Sequence, residues 1–225
     1  MIKAVIFDMF ETLITHFETP LYFGKEMSED MGVPYDEFIK YWRATEDERT
    51  RGLISFDDVI KNALYSFGTY SDEVFKLVLK KRTETKIDCF RHLHKNIIPM
   101  LDGLKAMDVK IALISNCFSE EAKVIRKSVL FPYFDVAILS CEHGLRKPDE
   151  DIYRLCIDKL DVTADECLYI GDGGSHELDA AKAVGMNPLQ ALWYLKEGSL
   201  QPVGRLPEFD GLSDPLDVVL WLTLK

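Results

Sequence analysis

The sequence lacks long apolar runs. No stretch reaches the roughly 18–20 consecutive apolar residues that a membrane-spanning helix needs. The N-terminal segment MIKAVIFDMF has one lysine and a short apolar run that an aspartate interrupts, which does not fit a secretion signal. We therefore expect a cytoplasmic protein with no membrane partner.

Basic residues are in the minority, with 27 Lys and Arg against 38 Asp and Glu and a formal net charge of −11. Surfaces that bind nucleic acid need clustered Lys and Arg, so no nucleic-acid partner is expected. Hydrophobic residues make up 47% of the chain, which is enough for a sizeable core. A small-molecule substrate is the better expectation, and the oligomeric state stays open.

Cysteines are few, and none are paired by spacing. There are five, with no CxxC pair among them. A structural zinc site would need closely spaced Cys and His residues. We expect buried, reduced thiols.

Short apolar segments alternate with helical patterns over most of the chain. Buried strands are predicted at residues 2–7, 109–114, 136–139 and 168–170. Strands that alternate with helices predict an α/β fold with a parallel sheet covered on both faces.

Residues 17–89 break this alternation, because they contain no convincing buried strand. Helices are predicted around Leu21–Met31, Tyr35–Glu48, Phe56–Phe67 and Asp72–Arg82. A helical block directly after the first strand predicts an inserted domain, which leaves residues 1–16 and 90–225 as the core. An irregular segment is predicted over Gly198–Pro215, before a final helix over Leu216–Leu224.

Chemically active residues follow the predicted strands, at the edge where open α/β sheets bind ligands. In strand order these residues are Asp8, Ser115, Lys147 and Asp172. The set suits phosphoryl or similar group transfer, with Asp8 attacking the electrophile to form a covalent aspartyl intermediate. Ser115 would donate a hydrogen bond to a transferring oxygen, and Lys147 would neutralise negative charge.

The two aspartates at this edge call for a cation. Like charges about 4 Å apart cost about 4 kcal/mol at an effective dielectric constant near 20. Lys147 and one hard cation would balance Asp8 and Asp172, and an all-oxygen carboxylate site suits Mg²⁺. The glycines around Asp172 lack the GxGxxG spacing, so no nucleotide cofactor is expected.

Four segments, FDMFETLI, LISN, GLRKPDEDIY and YIGDGGSHELDAAKAVGM, together resemble the four motifs of the haloacid dehalogenase superfamily, in order and in spacing. The resemblance implies a Rossmann-like core, an inserted helical cap of the first type, and hydrolase chemistry through an aspartyl intermediate. By position, Asp8 resembles the nucleophile, Ser115 the motif-two hydroxyl and Lys147 the motif-three lysine. Asp172 resembles the metal ligand of motif four. Glu177 falls where many members carry a second acidic residue, which holds metal-bound water or braces the lysine.

One position departs from the phosphatase pattern. Phosphatases of this superfamily usually carry a second aspartate two residues after the nucleophile as general acid and base, and this sequence has Phe10 there. Such help is worth about 10²–10⁴-fold in rate, so roughly 3–5 kcal/mol of barrier is unassigned. Three interpretations stay open. The first is a phosphatase that either is slow or uses Glu11, a cap residue or water in place of the missing acid. The second is a dehalogenase, whose halide leaving group needs no proton. The third is a ligand-binding member that has lost catalysis.

The acidic fourth motif favours the first interpretation. Metal-independent 2-haloacid dehalogenases, which also have an aromatic residue after the nucleophile, are expected to lack this acidic pattern. Phe10 does not exclude a metal, because the family coordinates through the backbone carbonyl at that position. The resemblance thus implies a Mg²⁺-dependent phosphatase acting on a small phosphorylated metabolite. Its metal ligands would be Asp8, Phe10, Asp172 and Glu177.

Three further residues are predicted to contact the substrate, namely Thr12, Asn116 and Arg43. Arg43 belongs to a cationic and aromatic cluster in the helical block, together with Tyr41, Trp42, Arg49 and Arg51. An arginine of this cluster that faces the active site would select an anionic substrate, because guanidinium binds carboxylate or phosphate in a bidentate manner.

Overall fold

A computed structural model describes residues 1–196 and 203–224. At its centre is a six-stranded sheet in which every neighbouring pair of strands is parallel. The strands are β1 (Ala4–Phe7), β2 (Lys110–Ser115), β3 (Val136–Leu139), β4 (Cys167–Gly171), β5 (Asn187–Ala191) and β6 (Gly211–Leu212). Their order, β3-β2-β1-β4-β5-β6, is that of a Rossmann-like sheet, so the predicted fold class is confirmed.

Helices precede, separate and cover the strands. Those between β1 and β2 are α1 (Gly24–Met31), α2 (Tyr35–Ala44), α3 (Glu46–Thr50), α4 (Phe56–Ser66), α5 (Asp72–Cys89) and α6 (Ile97–Ala106). Those that follow are α7 (Ser119–Ile125), α8 (Ser140–His143), α9 (Glu150–Leu160), α10 (Glu177–Ala183) and α11 (Leu216–Thr223). In the part of the chain that the structure describes, no helix is long and apolar enough to cross a membrane.

The sheet separates two apolar cores. Side chains alternate across β1, so Val5 and Phe7 join one core while Ala4 and Ile6 join the other. All four residues are fully buried, which explains their β-branched and apolar composition. The strand order reverses at β1, and a crevice for ligands forms at the carboxyl ends of the strands around such a point. Asp8 follows β1 at this crevice.

Helices α1–α5 have an apolar core of their own. Its buried members include Tyr22, Met27, Met31, Phe38, Phe56, Ile60, Leu64 and Val78. A separate core is what an inserted helical domain needs. The predicted boundaries, with 17–89 as the insert and 1–16 and 90–225 as the core, stay a prediction.

Several elements differ from their predicted extents. The helix predicted over Tyr35–Glu48 is broken at Thr45, whose hydroxyl donates to backbone carbonyls of the preceding turn. Strand β5 was not predicted, because Pro188 in a short segment argues against a buried strand. Strand β6 lies in the segment predicted as irregular, of which residues 198–202 lie outside the described residues. The five cysteines are unpaired, and only Cys141 is partly exposed.

Candidate active site

The segments after three of the parallel strands, β1, β3 and β4, bring distant acidic and basic side chains together. Lys147 donates a hydrogen bond from Nζ to Oδ1 of Asp8 at 2.5 Å, and another to Oε2 of Glu177. Carboxylate oxygens of Asp8, Asp172 and Glu177 all lie within 4.8 Å of one another. Asp8, Lys147 and Glu177 are buried. The structure therefore places the predicted nucleophile, lysine and acidic residues in one cluster.

Glu177 braces this cluster from the start of α10. Its Oε1 accepts a hydrogen bond from the Gly173 amide at 3.1 Å, and its Oε2 accepts from the Tyr169 hydroxyl at 2.8 Å as well as from Lys147. A carboxylate held at both oxygens fixes the ammonium that it contacts. Of the two roles considered for Glu177, the observed contacts are those of a brace for Lys147.

Burial and like charge shift the ionisation of the cluster. Burial, together with the nearby Glu177 carboxylate, raises the pKa of Asp8 to about 7, although Lys147 opposes the shift. Burial also raises the pKa of Asp172 well above its ordinary value, with Glu177 and Asp8 adding to the effect. The pKa of Lys147 lies above its usual value because the two carboxylates outweigh the effect of burial. Three carboxyl groups thus share one ammonium.

The donor set fits a hard divalent cation. Asp8 and Asp172 offer carboxylate oxygens in the same small volume, and one ammonium leaves an excess of negative charge there. Mg²⁺ prefers oxygen ligands and is commonly held by one or two carboxylates plus substrate phosphate. Both oxygens of Glu177 already accept hydrogen bonds, so Asp8 and Asp172 are the carboxylates better placed to hold the ion. The predicted contribution of the Phe10 carbonyl stays a prediction.

Two buried hydroxyls at the carboxyl ends of β2 and β1 have no hydrogen-bond partner among residues 1–196 and 203–224. They are Oγ of Ser115, the last residue of β2, and Oγ1 of Thr12 in the loop after β1. A buried polar group left unpaired costs roughly 1–3 kcal/mol. Both hydroxyls are thus free to donate to a ligand, and their predicted contact with the substrate stays a prediction.

Asn116 ties the end of β2 to the loop that carries Lys147. The Lys147 amide donates to Oδ1 of Asn116 at 2.7 Å, and Nδ2 of Asn116 donates to the Lys147 carbonyl at 3.0 Å. This pair of bonds fixes the backbone from which Lys147 reaches Asp8. The predicted contact of Asn116 with substrate stays a prediction beside this positioning role.

Phe10 occupies the place of the expected acid, and its ring contacts the helical block. The ring stacks on His16 with centroids 4.8 Å apart, and Nζ of Lys86 lies 5.3 Å from its centroid. The adjacent Glu11 is engaged in its own turn, where it accepts hydrogen bonds from the Thr15 hydroxyl at 2.6 Å and the His16 amide at 2.9 Å. Glu11 is therefore held by local contacts at this position.

Arg43 is not brought to the cluster. It is exposed on α2 and lines neither the cavity that contains Asp8 nor the cavity that adjoins it, both of which are described below. Another arginine of the same predicted group, Arg49, is buried instead. Sequence reasoning also missed Tyr169, although a hydroxyl in an otherwise aliphatic strand was a usable signal.

Two adjoining cavities lead away from the cluster. The first, here called the reaction chamber, is about 290 Å³ and is lined by residues that include Asp8, Lys147 and Asp172. The second, here called the distal pocket, is about 230 Å³. The residues that line both are Phe10, His16, Phe23 and Asn116. A ligand that reacts at Asp8 can therefore extend past Phe10 toward the helical block.

Comparisons with known proteins agree with this geometry. A glyceraldehyde 3-phosphate phosphatase of Methanocaldococcus jannaschii is 26% identical over 200 residues, which cover 85% of this chain and 86% of that protein. A phosphorylated carbohydrates phosphatase of Thermotoga maritima is 30% identical over 192 residues and 82% of each chain. A 2-haloacid dehalogenase structure from Pseudomonas syringae shares the fold, with a TM-score of 0.69 at 21% identity over 99% of this chain and 100% of that one.

The match extends to the family as a whole. The model of one hydrolase family, described as haloacid dehalogenase-like hydrolase, covers residues 2–185, which include every residue of the cluster around Asp8. The resemblance inferred from the four motifs is thereby confirmed, and this chain is an enzyme of the haloacid dehalogenase-like hydrolase family.

Proposed function

We propose that this protein is a Mg²⁺-dependent phosphatase that hydrolyses a small phosphorylated metabolite through an aspartyl intermediate. The observation that carries the proposal is the 2.5 Å contact of Asp8 Oδ1 with Lys147 Nζ, beside more carboxylates than one ammonium can balance. The excess negative charge suits a cation-assisted site that receives a phosphoryl group. The two phosphatases named above support the same reaction class.

Each side chain has a distinct part in the reaction. The free carboxylate oxygen of Asp8 attacks phosphorus, the bond from phosphorus to the leaving oxygen breaks, and that oxygen takes a proton from solvent water to leave as an alcohol. Lys147 holds Asp8 in place and neutralises charge on the transferring group, while Ser115 and Thr12 donate hydrogen bonds to its oxygens. Water then attacks phosphorus of the aspartyl phosphate, which releases phosphate and restores Asp8. Bound Mg²⁺ would lower the repulsion between the nucleophile and the anionic substrate.

A panel of phosphate monoesters, scored for released phosphate with and without Mg²⁺, tests this proposal. We expect turnover with Mg²⁺, loss of turnover with EDTA, and loss of turnover in Asp8→Asn. The exposed Lys40→Met is a matched control that alters charge far from the cluster. Turnover that is unchanged in Asp8→Asn would overturn the mechanism.

Phe10 favours a second candidate function, dehalogenation of a 2-haloacid, because a halide leaves without a proton. In that reaction Asp8 would displace halide from carbon and form an ester. Halide release that needs no added metal and resists EDTA would support it. Failure of both reactions, with a phosphate mimic and Mg²⁺ still raising the melting temperature, would instead indicate a ligand-binding member. In that case Phe10→Asp should create activity.

The cellular setting follows from composition alone. We infer a cytoplasmic protein that acts on a small anionic substrate, without a nucleic-acid or membrane partner. The net charge of −11 supports the first exclusion. Cell fractionation would test the cytoplasmic location and the lack of a membrane partner. The ratio of absorbance at 260 and 280 nm in the purified protein would test whether nucleic acid is bound.

A further inference from the structure

One wall of the distal pocket is formed by Arg82, Lys86 and Glu121, which belong to a buried cluster of charged side chains from two parts of the chain. Helix α5 supplies Arg82 and Lys86, and helix α7 supplies Glu120 and Glu121. Arg82 contacts Glu120 at 3.0 Å through Nε and Glu121 at 2.9 Å through Nη2. Lys86 contacts Glu121 at 2.7 Å. Taken alone, these two cations and two carboxylates would balance.

A third cation, Arg49, is added to the cluster without a carboxylate of its own. Its guanidinium carbon lies 3.4 Å from the Trp42 ring centroid and 4.5 Å from that of Phe118, and both rings line the distal pocket. Nη1 donates only to neutral acceptors, the Trp42 carbonyl at 2.8 Å and the Thr45 hydroxyl at 2.7 Å. Within the described chain, Nε and Nη2 have no partner, although Arg49 is only 1% exposed.

The remaining titratable groups do not remove this surplus. His16 adds no negative charge, because a histidine side chain is neutral or cationic, and its Nε2 accepts a hydrogen bond from Nζ of Lys86 at 3.1 Å. Burial raises the pKa of Glu120 and lowers the pKa of Lys86, so the two shifts act on the charge balance in opposite directions. Burial lowers the pKa of Arg49 only to about 10, so the guanidinium stays charged near neutral pH. Glu46 is exposed to water at the start of α3.

By formal charge, the count is three cations against two buried carboxylates among the residues that the structure describes. Charges away from water interact strongly, because the surroundings screen them poorly. Arg49 does not line the pocket, and Oε2 of Glu120 is also without a partner among the described residues, so the surplus positive charge rather than the unpaired atoms favours an anionic ligand. The pocket that adjoins this surplus is the one that extends from the reaction chamber past Phe10.

We infer that the distal pocket binds an anionic group, such as a carboxylate, on the leaving-group side of the substrate. Lys86 and Arg82 line the pocket and would contact that group. Arg49 acts behind the aromatic wall of Trp42 and Phe118 as a positioning residue that keeps the pocket electropositive. The inference rests on the proposed phosphatase function, because the transferred phosphoryl group would occupy the reaction chamber.

The test compares two phosphate esters that differ only in a remote charge, benzyl phosphate and 4-carboxybenzyl phosphate. Their binding to the full-length Asp8→Asn protein with Mg²⁺ is measured by calorimetry, so turnover is not needed. We expect about tenfold tighter binding of the carboxylated ester, which corresponds to about 1.4 kcal/mol. Arg49→Met should bring the ratio of dissociation constants close to one, whereas Arg49→Lys should keep it. Lys40→Met, which removes an exposed cation from the same helical block, should leave the ratio unchanged.

Equal binding of the two esters in the Asp8→Asn parent would overturn the inference, whatever the Arg49 variants do. So would an Arg49→Met protein that binds both esters more weakly by the same factor, or an Arg49→Lys protein that loses the preference. In active protein, the preference should appear in KM for the two esters, with kcat nearly the same. If the protein hydrolyses no ester yet still prefers the carboxylated one, the phosphatase proposal fails while the anion pocket stands.

Discussion

Lys147 and Asp8 are 139 residues apart in the chain, yet Nζ of the lysine lies 2.5 Å from Oδ1 of the aspartate. The contact arises because β1, which leads to Asp8, lies between β2 and β4 at the point where the strand order reverses. Asn116, from the end of β2, fixes the backbone of Lys147 in register with it. The proposed nucleophile and its cation are thus held together by contacts within the protein itself.

Removing the cation should damage both activity and stability. In Lys147→Met, the buried carboxylates of Asp8 and Glu177 lose the ammonium between them, and breaking such a buried pair costs about 3–5 kcal/mol. Loss of a charge-stabilising group should lower kcat by about 10²–10³-fold. Denaturant unfolding and steady-state kinetics measure the two effects. A variant with near-parental kcat would show that Lys147 is not part of the reacting group.

Much of this arrangement could be predicted from sequence, because each group follows a buried strand and parallel strands share one carboxyl edge. Asp8, Ser115, Lys147 and Asp172 were predicted on that basis, and the structure gathers the three charged ones. Strand β5 escaped prediction because Pro188 is atypical of a strand and is accommodated by the tertiary fold.

The charged wall of the distal pocket was beyond sequence reasoning for a different reason. Arg82 meets Glu120 and Glu121 across 38 and 39 residues, and the pairing depends on how α5 packs on α7. Periodicity likewise could not decide which arginine of the 41–51 group is buried. The break at Thr45 starts a new helix and places Arg49 rather than Arg43 in the interior.

Stabilisation by Mg²⁺ should depend on pH with a defined sign. Burial and the nearby Glu177 carboxylate raise the pKa of Asp8 in the folded protein from an ordinary value of 3.8 to about 7. Between these values the folded state holds a proton that the unfolded chain has released, so the contribution of Asp8 to the free energy of unfolding falls as pH rises. Mg²⁺ competes with that proton.

The rise in melting temperature on adding Mg²⁺ should therefore be larger at pH 8 than at pH 5.5. Scanning calorimetry at both pH values, with EDTA as reference, makes the comparison. Asp172→Asn should reduce the increase in melting temperature at both pH values, because the substitution removes one of the two carboxylates assigned to Mg²⁺. A rise that grows as the pH falls would have the wrong sign for a carboxylate site.

The Asn116 side chain should matter through Lys147. Asn116→Ala removes two hydrogen bonds to the Lys147 backbone, each worth about 0.5–1.5 kcal/mol. We expect a loss of stability of about 1–3 kcal/mol and a fall in kcat. Asn116→Asp keeps the acceptor for the Lys147 amide and should lose less stability than the alanine variant. Unfolding curves for the two variants, measured side by side, test that order.

Phe10 should make turnover sensitive to the leaving group. No acidic side chain stands at this position to protonate the departing oxygen, so esters of acidic phenols should react faster than alkyl esters with a steep dependence on alcohol pKa. Phe10→Asp should flatten that dependence and raise the rate on alkyl phosphates, by up to about 10²-fold. Rates on a series of aryl and alkyl phosphates, plotted against the pKa of the leaving alcohol, give this slope for the parent protein and for Phe10→Asp. Equal slopes in the two proteins would mean that another group already supplies the proton.

The most direct measurement is the mass of the protein after rapid acid quenching during turnover of a reactive aryl phosphate. Covalent catalysis at Asp8 predicts a transient species heavier by one phosphoryl group, with the modification mapped to the peptide that contains Asp8 and absent from Asp8→Asn. Phosphate release without that species, or a phosphoryl group mapped to any other residue, would contradict the assignment of Asp8 as the nucleophile.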